Sequence, residues 1–180
     1  MSIYARYKQA MEQGLTRLIR AAHVGNAPQV REVVADAQEC EALAVLYGLP
    51  GIAALRGRFV LRHARGGVVA ARLELQARVT QTCVVSLENF EAPVREVSEL
   101  RFVPAASLPE SEGVELDPET LAGPDEIPYA GEMLDLGAAL AEQLALALDP
   151  YPRKPGAVLP AVAGEPAGNP FAVLRARREE

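Results

Sequence analysis

Tryptophan is absent from this chain of 180 residues, and aromatic residues make up only 5% of it. Hydrophobic residues still reach 49%, so a core of useful size has to be built from Leu, Val and Ala. The length suits one domain with tails. No charge-free apolar run approaches the roughly 18 residues of a transmembrane helix, so none is expected. The N-terminal stretch, Met1 to Gly14, is charged, with no apolar block and no small-residue cleavage site. It is not expected to act as a secretory leader. Two cysteines, Cys40 and Cys83, are too few for a disulfide scaffold, and a reducing cytoplasm is the expected setting.

Reactive chemistry is equally scarce. The only histidines are His23 and His63, and no Cys or His pair has the short spacing of a tetrahedral metal site. The acidic stretch from Glu110 to Glu126 lacks the spacing and the glycine of an EF-hand. There is no P-loop, no Rossmann glycine fingerprint and no Gly-x-Ser-x-Gly elbow. A thiolate nucleophile needs a base and an electropositive setting. The sequence puts neither beside Cys83, which is expected to be a buried structural residue. No catalytic residue, metal ligand or cofactor site is therefore expected, and the chain reads as a binding protein rather than an enzyme.

What is present is an uneven charge distribution. The net charge is −6, yet residues 1–103 carry +3, residues 104–149 carry −11 without a single Lys or Arg, and residues 150–180 carry +2. Such asymmetry points to a partner-facing surface or an acidic segment. Residues 104–131 hold five of the 14 prolines and few bulky apolar side chains. They are expected to form a mobile acidic loop, because so little apolar area cannot offset the entropy of ordering.

Periodicity supplies the framework. A helix is expected to about residue 13, and 14–24 is open between helix and an extended entry strand. Residues 29–35 suggest a strand. Asp36 with Glu39 three positions on is a capping box, opening a helix that Gly48 and Pro50 end. Pro50 to Leu55 is expected to add a short helical turn. From 54 to 80, Leu55, Phe59 and Leu61, then Val69, Ala71, Leu73, Leu75 and Val79, alternate with polar residues on either side of Arg65-Gly66-Gly67. Period two around a glycine turn predicts a hairpin with one buried and one wet face. A third strand, about 93–103, alternates imperfectly and is expected to hold a bulge or an edge position. Asp135 caps a helix with Leu136, Leu140, Leu144 and Leu148 in line. The expected fold is α+β, with a mainly antiparallel sheet built on the long hairpin and packed by two helices. Residues 1–150 form the domain, 151–168 a linker, and 169–180 a short C-terminal helix or tail.

Two features are candidate contact sites. Arg56, Arg58, Arg62, Arg72 and Arg78 share one wet strand face, since residues two apart point the same way. A row of guanidinium forks suits the repeating phosphates of a nucleic acid. A solvated face with edge-protecting charges explains the same pattern. Against that, no carboxylate occurs between Glu41 and Glu74, whereas ordinary solvated faces mix signs. The tail segment Asn169-Pro170-Phe171 either docks on the core or enters a partner's groove.

The order of these pieces resembles the YceD family, also catalogued as domain of unknown function 177. The likeness is carried by the hairpin leading into Gln81-Thr82-Cys83-Val84-Val85-Ser86-Leu87-Glu88 and by the strand Glu99-Leu100-Arg101-Phe102-Val103-Pro104. It continues through the acidic insert, the Asp135-Leu136 helix ending in Asp149-Pro150-Tyr151-Pro152, and the terminal Asn169-Pro170-Phe171, spanning roughly 15–175. The resemblance implies a role in accumulation of large-subunit ribosomal RNA, through binding 23S rRNA or its precursor during 50S assembly. The alternative is a protein-interaction module that meets a ribosomal or assembly protein through its acidic loop and tail. Many relatives carry Cys-x-x-Cys where this chain has Cys83-Val84-Val85-Ser86, and some add cysteines where it has Tyr151-Pro152-Arg153-Lys154. Ser86 replaces the second cysteine, so a zinc role does not carry over.

Overall fold

The computed structural model describes residues 14–107 and 123–158. The helix expected before residue 14, residues 108–122 of the acidic segment, and the tail with Asn169, Pro170 and Phe171 lie outside the described residues.

The chain is α+β, as its periodicity indicates. Its strands are β1 (Leu18–Arg20), β2 (Gln29–Val34), β3 (Gly51–His63), β4 (Val69–Thr82), β5 (Asn89–Pro104), β6 (Asp125–Tyr129) and β7 (Met133–Asp135). Its helices are α1 (Ala37–Leu46) and α2 (Leu136–Ala147). Five strands form one sheet in the order β2-β3-β4-β5-β6, antiparallel except for the parallel β5–β6 pair. A short β1–β7 ribbon feeds directly into α2.

The long β3–β4 hairpin turns at Arg65–Gly67, where Gly66 and Gly67 take φ of 72° and 78°, conformations that side chains with a Cβ disfavour. Leu55, Phe59, Leu61, Val69, Leu73, Leu75 and Val79 all point inward and are 0–1% exposed. Both helices cover this inner face. In α2, Leu136, Leu140 and Leu144 lie on the sheet with 0–1% exposure, while Leu148 just past its end is half-buried. Gly57 sits inward on β3 in tight packing: a Cβ there would stand 2.7 Å from Leu140 Cδ1 and 3.0 Å from Leu73 Cδ1, so these leucines would have to shift. The Tyr47 hydroxyl donates to the Ala141 carbonyl at 2.7 Å and ties α1 to α2. Burial, then the nearby Glu142 charge, pushes its pKa up to about 12.

Both helix starts are fixed by carboxylates joined through one arginine. Asp36 and Glu39 form the capping box on α1. Asp135 accepts from the Gly137 and Ala138 amides at 2.9 and 3.1 Å, and also from the Arg17 amide at 2.8 Å. The Arg17 guanidinium grips Glu39 with two bonds, at 2.7 and 2.9 Å. That grip lowers the Glu39 pKa and raises that of Arg17. The undecided stretch 14–24 is mostly extended, with β1 followed by a single 3-10 turn at Ala21–His23.

Two expectations are corrected, and a third is met in one of its two alternatives. The helical turn at Pro50 to Leu55 is instead the start of β3, where a bulge between Ile52 and Ala54 breaks the period of two that marks the rest of the strand. The pairing of β5 with β4 runs in unbroken register from Asn89 to Phe102, so the expected bulge is not in β5. The edge position is partly met, since β6 covers only Leu100 to Pro104. The segment 104–131 is not loop throughout: β6 occupies Asp125–Tyr129, and the Tyr129 hydroxyl donates to the Gly67 carbonyl at 2.7 Å, clasping β6 to the hairpin turn.

Candidate nucleic-acid interface

With both helices on the inner face, the outer face of the sheet is left to solvent, and the alternation of β3 and β4 assigns its side chains. Arg56, Arg58, Arg62, Arg72 and Arg78 are all exposed and all lie on this face. The cross-strand register sets their neighbours. Arg56 stands beside Gln76, Arg58 beside Glu74, Val60 beside Arg72, Arg62 beside Ala70, and Ala54 beside Arg78. Flanking strands add Val34 and Glu32 from β2, then Pro93, Arg95, Val97, Glu99 and Arg101 from β5.

The arginines are not equivalent. Arg72 pairs with Glu99 at 2.8 Å and Arg58 with Glu74 at 3.6 Å, while Arg101 pairs with Glu126 at 3.0 Å. Glu32 lies across from Arg58 as well. These pairs are on the surface, where such contacts are worth about 0–1 kcal/mol, so a phosphate can open them. Among the described residues, Arg56, Arg62, Arg78 and Arg95 make no ion pair. The absence of carboxylates in the sequence between Glu41 and Glu74 did not carry over to the sheet, because β2 and β5 bring Glu32 and Glu99 alongside.

One corner carries no ion pair among the described residues, and the outward carboxylate of Glu91 lies one row away, opposite Thr80. Arg56, Gln76, Arg78 and Arg95 line a groove of ≈ 490 Å³ floored by Val34, Ala54 and Pro93. The Arg56 Nε and Nη2 groups both donate to the Gln76 Oε1, with the Nε bond at 3.1 Å. This fixes the fork and leaves the Gln76 amide nitrogen as a further donor. Arg95 was not among the sequence candidates. Only its register opposite Gln76 puts it in the group, and the uneven pattern of β5 hides that in the sequence.

Cys83 follows β4 in a tight turn and is 0% exposed. Its Sγ accepts from the Val85 and Ser86 amides, both at 3.4 Å. Leu87 takes φ of 60° so that its amide can bond the Cys83 carbonyl. The turn is stapled to the chain after α2 by Val84 N–H to the Pro152 carbonyl at 2.9 Å and by a Lys154–Glu88 ion pair at 3.0 Å. Hydrogen bonds from the Ser86 hydroxyl and amide lower the Cys83 pKa to about 6, with desolvation opposing as a lesser effect. Cys83 is fully buried but is not part of the main hydrophobic core cluster. These residues do not suit a metal: the side chain beside the lone thiol is the Ser86 hydroxyl, and no group of three or more potential ligands occurs among the described residues. Cys40 is buried under α1, where burial raises its pKa.

A protein-family comparison matches residues 71–175 to the large ribosomal RNA subunit accumulation protein YceD. The chain belongs to the YceD family. The match covers β4 to the tail and begins later than the likeness read from the sequence, which reached back to about residue 15. The family description ties its members to accumulation of the large-subunit ribosomal RNA and does not name a reaction. No curated protein and no solved structure matches the chain. No helix among the described residues is long and apolar enough to cross a membrane.

Proposed function

We propose that this YceD-family chain supports accumulation of 23S rRNA, and with it 50S subunit assembly, by gripping the backbone of the rRNA or its precursor with the outer face of its sheet. The role is binding without catalysis, carried out in the cytoplasm. The observation that carries the reading is a set of arginines, Arg56, Arg62 and Arg78, exposed on one face and without carboxylate partners among the described residues. Guanidinium forks bind phosphate bidentately and keep their charge at any physiological pH. Arg58 and Arg72 contribute once their surface pairs open. Contacts of this kind position a protein on RNA and set little sequence preference.

The test is charge reversal. Arg56→Glu, Arg62→Glu and Arg78→Glu together are expected to abolish retention of rRNA fragments while the circular dichroism melt stays that of the parent. Retention that survives the triple change overturns the assignment. The overall acidity, with a pI near 5.1, is unusual for an RNA binder and favours one second reading, a module that docks on a basic ribosomal or assembly protein. Its candidate surfaces are the acidic segment and Asn169, Pro170 and Phe171. Partners captured equally well after ribonuclease treatment support that reading instead.

A further inference from the structure

We propose that the RNA held by this face is base-paired, anchored at the corner of Arg56, Gln76, Arg78 and Arg95. The inference rests on the RNA-binding reading above and specifies the class of RNA.

Three observations carry it. The first is chemical. No aromatic side chain points outward from β2 to β6: Phe59 and Phe102 are in the core, Phe90 and Tyr129 have the inward parity, and Tyr47 lies between the helices. Proteins that take single-stranded RNA stack its bases on aromatic rings, and each stack is worth about 1–3 kcal/mol. Without a ring for a base to stack on, the contacts this face offers RNA are arginine and amide donors to phosphate and ribose. Base-paired RNA turns its bases inward and presents just those groups.

The second observation is the layout of charge. The middle rows of the face are self-neutralised by Arg58–Glu74 and Arg72–Glu99, with Glu32 beside them. Cations without partners stand at the two ends, Arg62 at one and the Arg56–Arg78–Arg95 corner at the other. Arg62 and Arg56 are six positions apart on β3, or about 20 Å at strand rise. That separation is on the scale of the width of a duplex. It suits two phosphate strands flanking a groove.

The third is rigidity. The corner residues sit on β3, β4 and β5, three adjacent strands of one continuous sheet, and the Arg56 fork is locked onto Gln76. A preset array of donors gives up little entropy on meeting an equally stiff helix.

The experiment uses the full chain and three probes: a blunt RNA duplex of about 16 base pairs, the span of a small double-strand-binding domain, and each of its two component strands. Fluorescence anisotropy is expected to show the duplex bound at least about tenfold tighter than either strand, a gap of about 1.4 kcal/mol. Arg78→Ala and Arg95→Ala are each expected to weaken duplex binding severalfold and to flatten its salt slope by about one, with unfolding midpoints unchanged. If the single strands bind as well as the duplex and the triple reversal abolishes that binding, this inference falls and the RNA-binding reading stands. If no probe binds, both fall. If the duplex is preferred but Arg78→Ala and Arg95→Ala leave its affinity intact, the corner is not the anchor.

Discussion

Gly57 shows how one missing side chain serves both faces of the sheet. Its neighbours Arg56 and Arg58 project outward, while its own inward position is taken up by Leu140 from α2. Gly57→Val is expected to lower stability by about 1–3 kcal/mol through overpacking, read as a shift in the urea midpoint, with RNA affinity of the folded fraction unchanged. Cys83 gives a second expectation, in pH. Its pKa falls from the ordinary 9.0 to about 6 in the fold, so the native state releases this proton before the unfolded chain does. The stability it contributes is complete above pH 9, declines as pH falls towards 6, and is gone below that. Cys83→Ser is expected to remove this rise between pH 6 and 9, as read from chemical unfolding across the window. A wild-type profile parallel to that of the variant would contradict it. At this scale the five sequence arginines were legible because strict alternation in β3 and β4 dictates their direction. The carboxylates that other strands bring beside them, Glu99 and Glu32, were not, since only the register reveals them. Arg95 escaped for the same reason.

Among the elements, those with local signals were read and those defined by distant partners were not. The capping box on α1, the Asp135 cap on α2 and the Gly66-Gly67 turn each leave a mark within a few residues. In contrast β6, with the sequence Asp-Glu-Ile-Pro-Tyr, has one inward aliphatic and a proline, and it is a strand because β5 offers an edge and Tyr129 reaches Gly67. The bulge at Ile52 to Ala54 similarly disguised the start of β3. The caps are also where elements depend on each other. Asp135→Ala removes the acceptor for two α2 amides and for the Arg17 amide. It is expected to cost about 1–2 kcal/mol, as strong cap deletions do, measured as loss of unfolding free energy. Tyr129→Phe deletes one neutral hydrogen bond and is expected to cost about 0.5–1.5 kcal/mol. Hydrogen exchange in β6 is expected to rise while that in β3 stays unchanged.

For the whole molecule the balance of charge is the governing quantity. The basic corner works within a chain of net charge −6. Exposed charges more than about 8 Å away are largely screened at physiological salt and less so in dilute buffer. Converting Glu110, Glu112, Glu115, Asp117 and Glu119 to their amides brings the net charge to −1. Non-specific RNA affinity is expected to rise at low salt, with the gain shrinking as salt increases; equal affinities at low salt would contradict this. Substitution is cleaner than deletion, because a cut reaching residue 130 would remove β6. The parallel β5–β6 pairing has one more consequence. Such neighbours need a crossover to bring the chain back, and here it leaves from Ser107, past the Arg62 end of the sheet, and rejoins at Gly123 beside Ser98 and Glu99. Doubling the length of a loop adds only about 0.6 kcal/mol of closure entropy. This stretch is therefore a natural graft point, where a reporter or affinity handle can be spliced in while the opposite corner stays clear for its ligand.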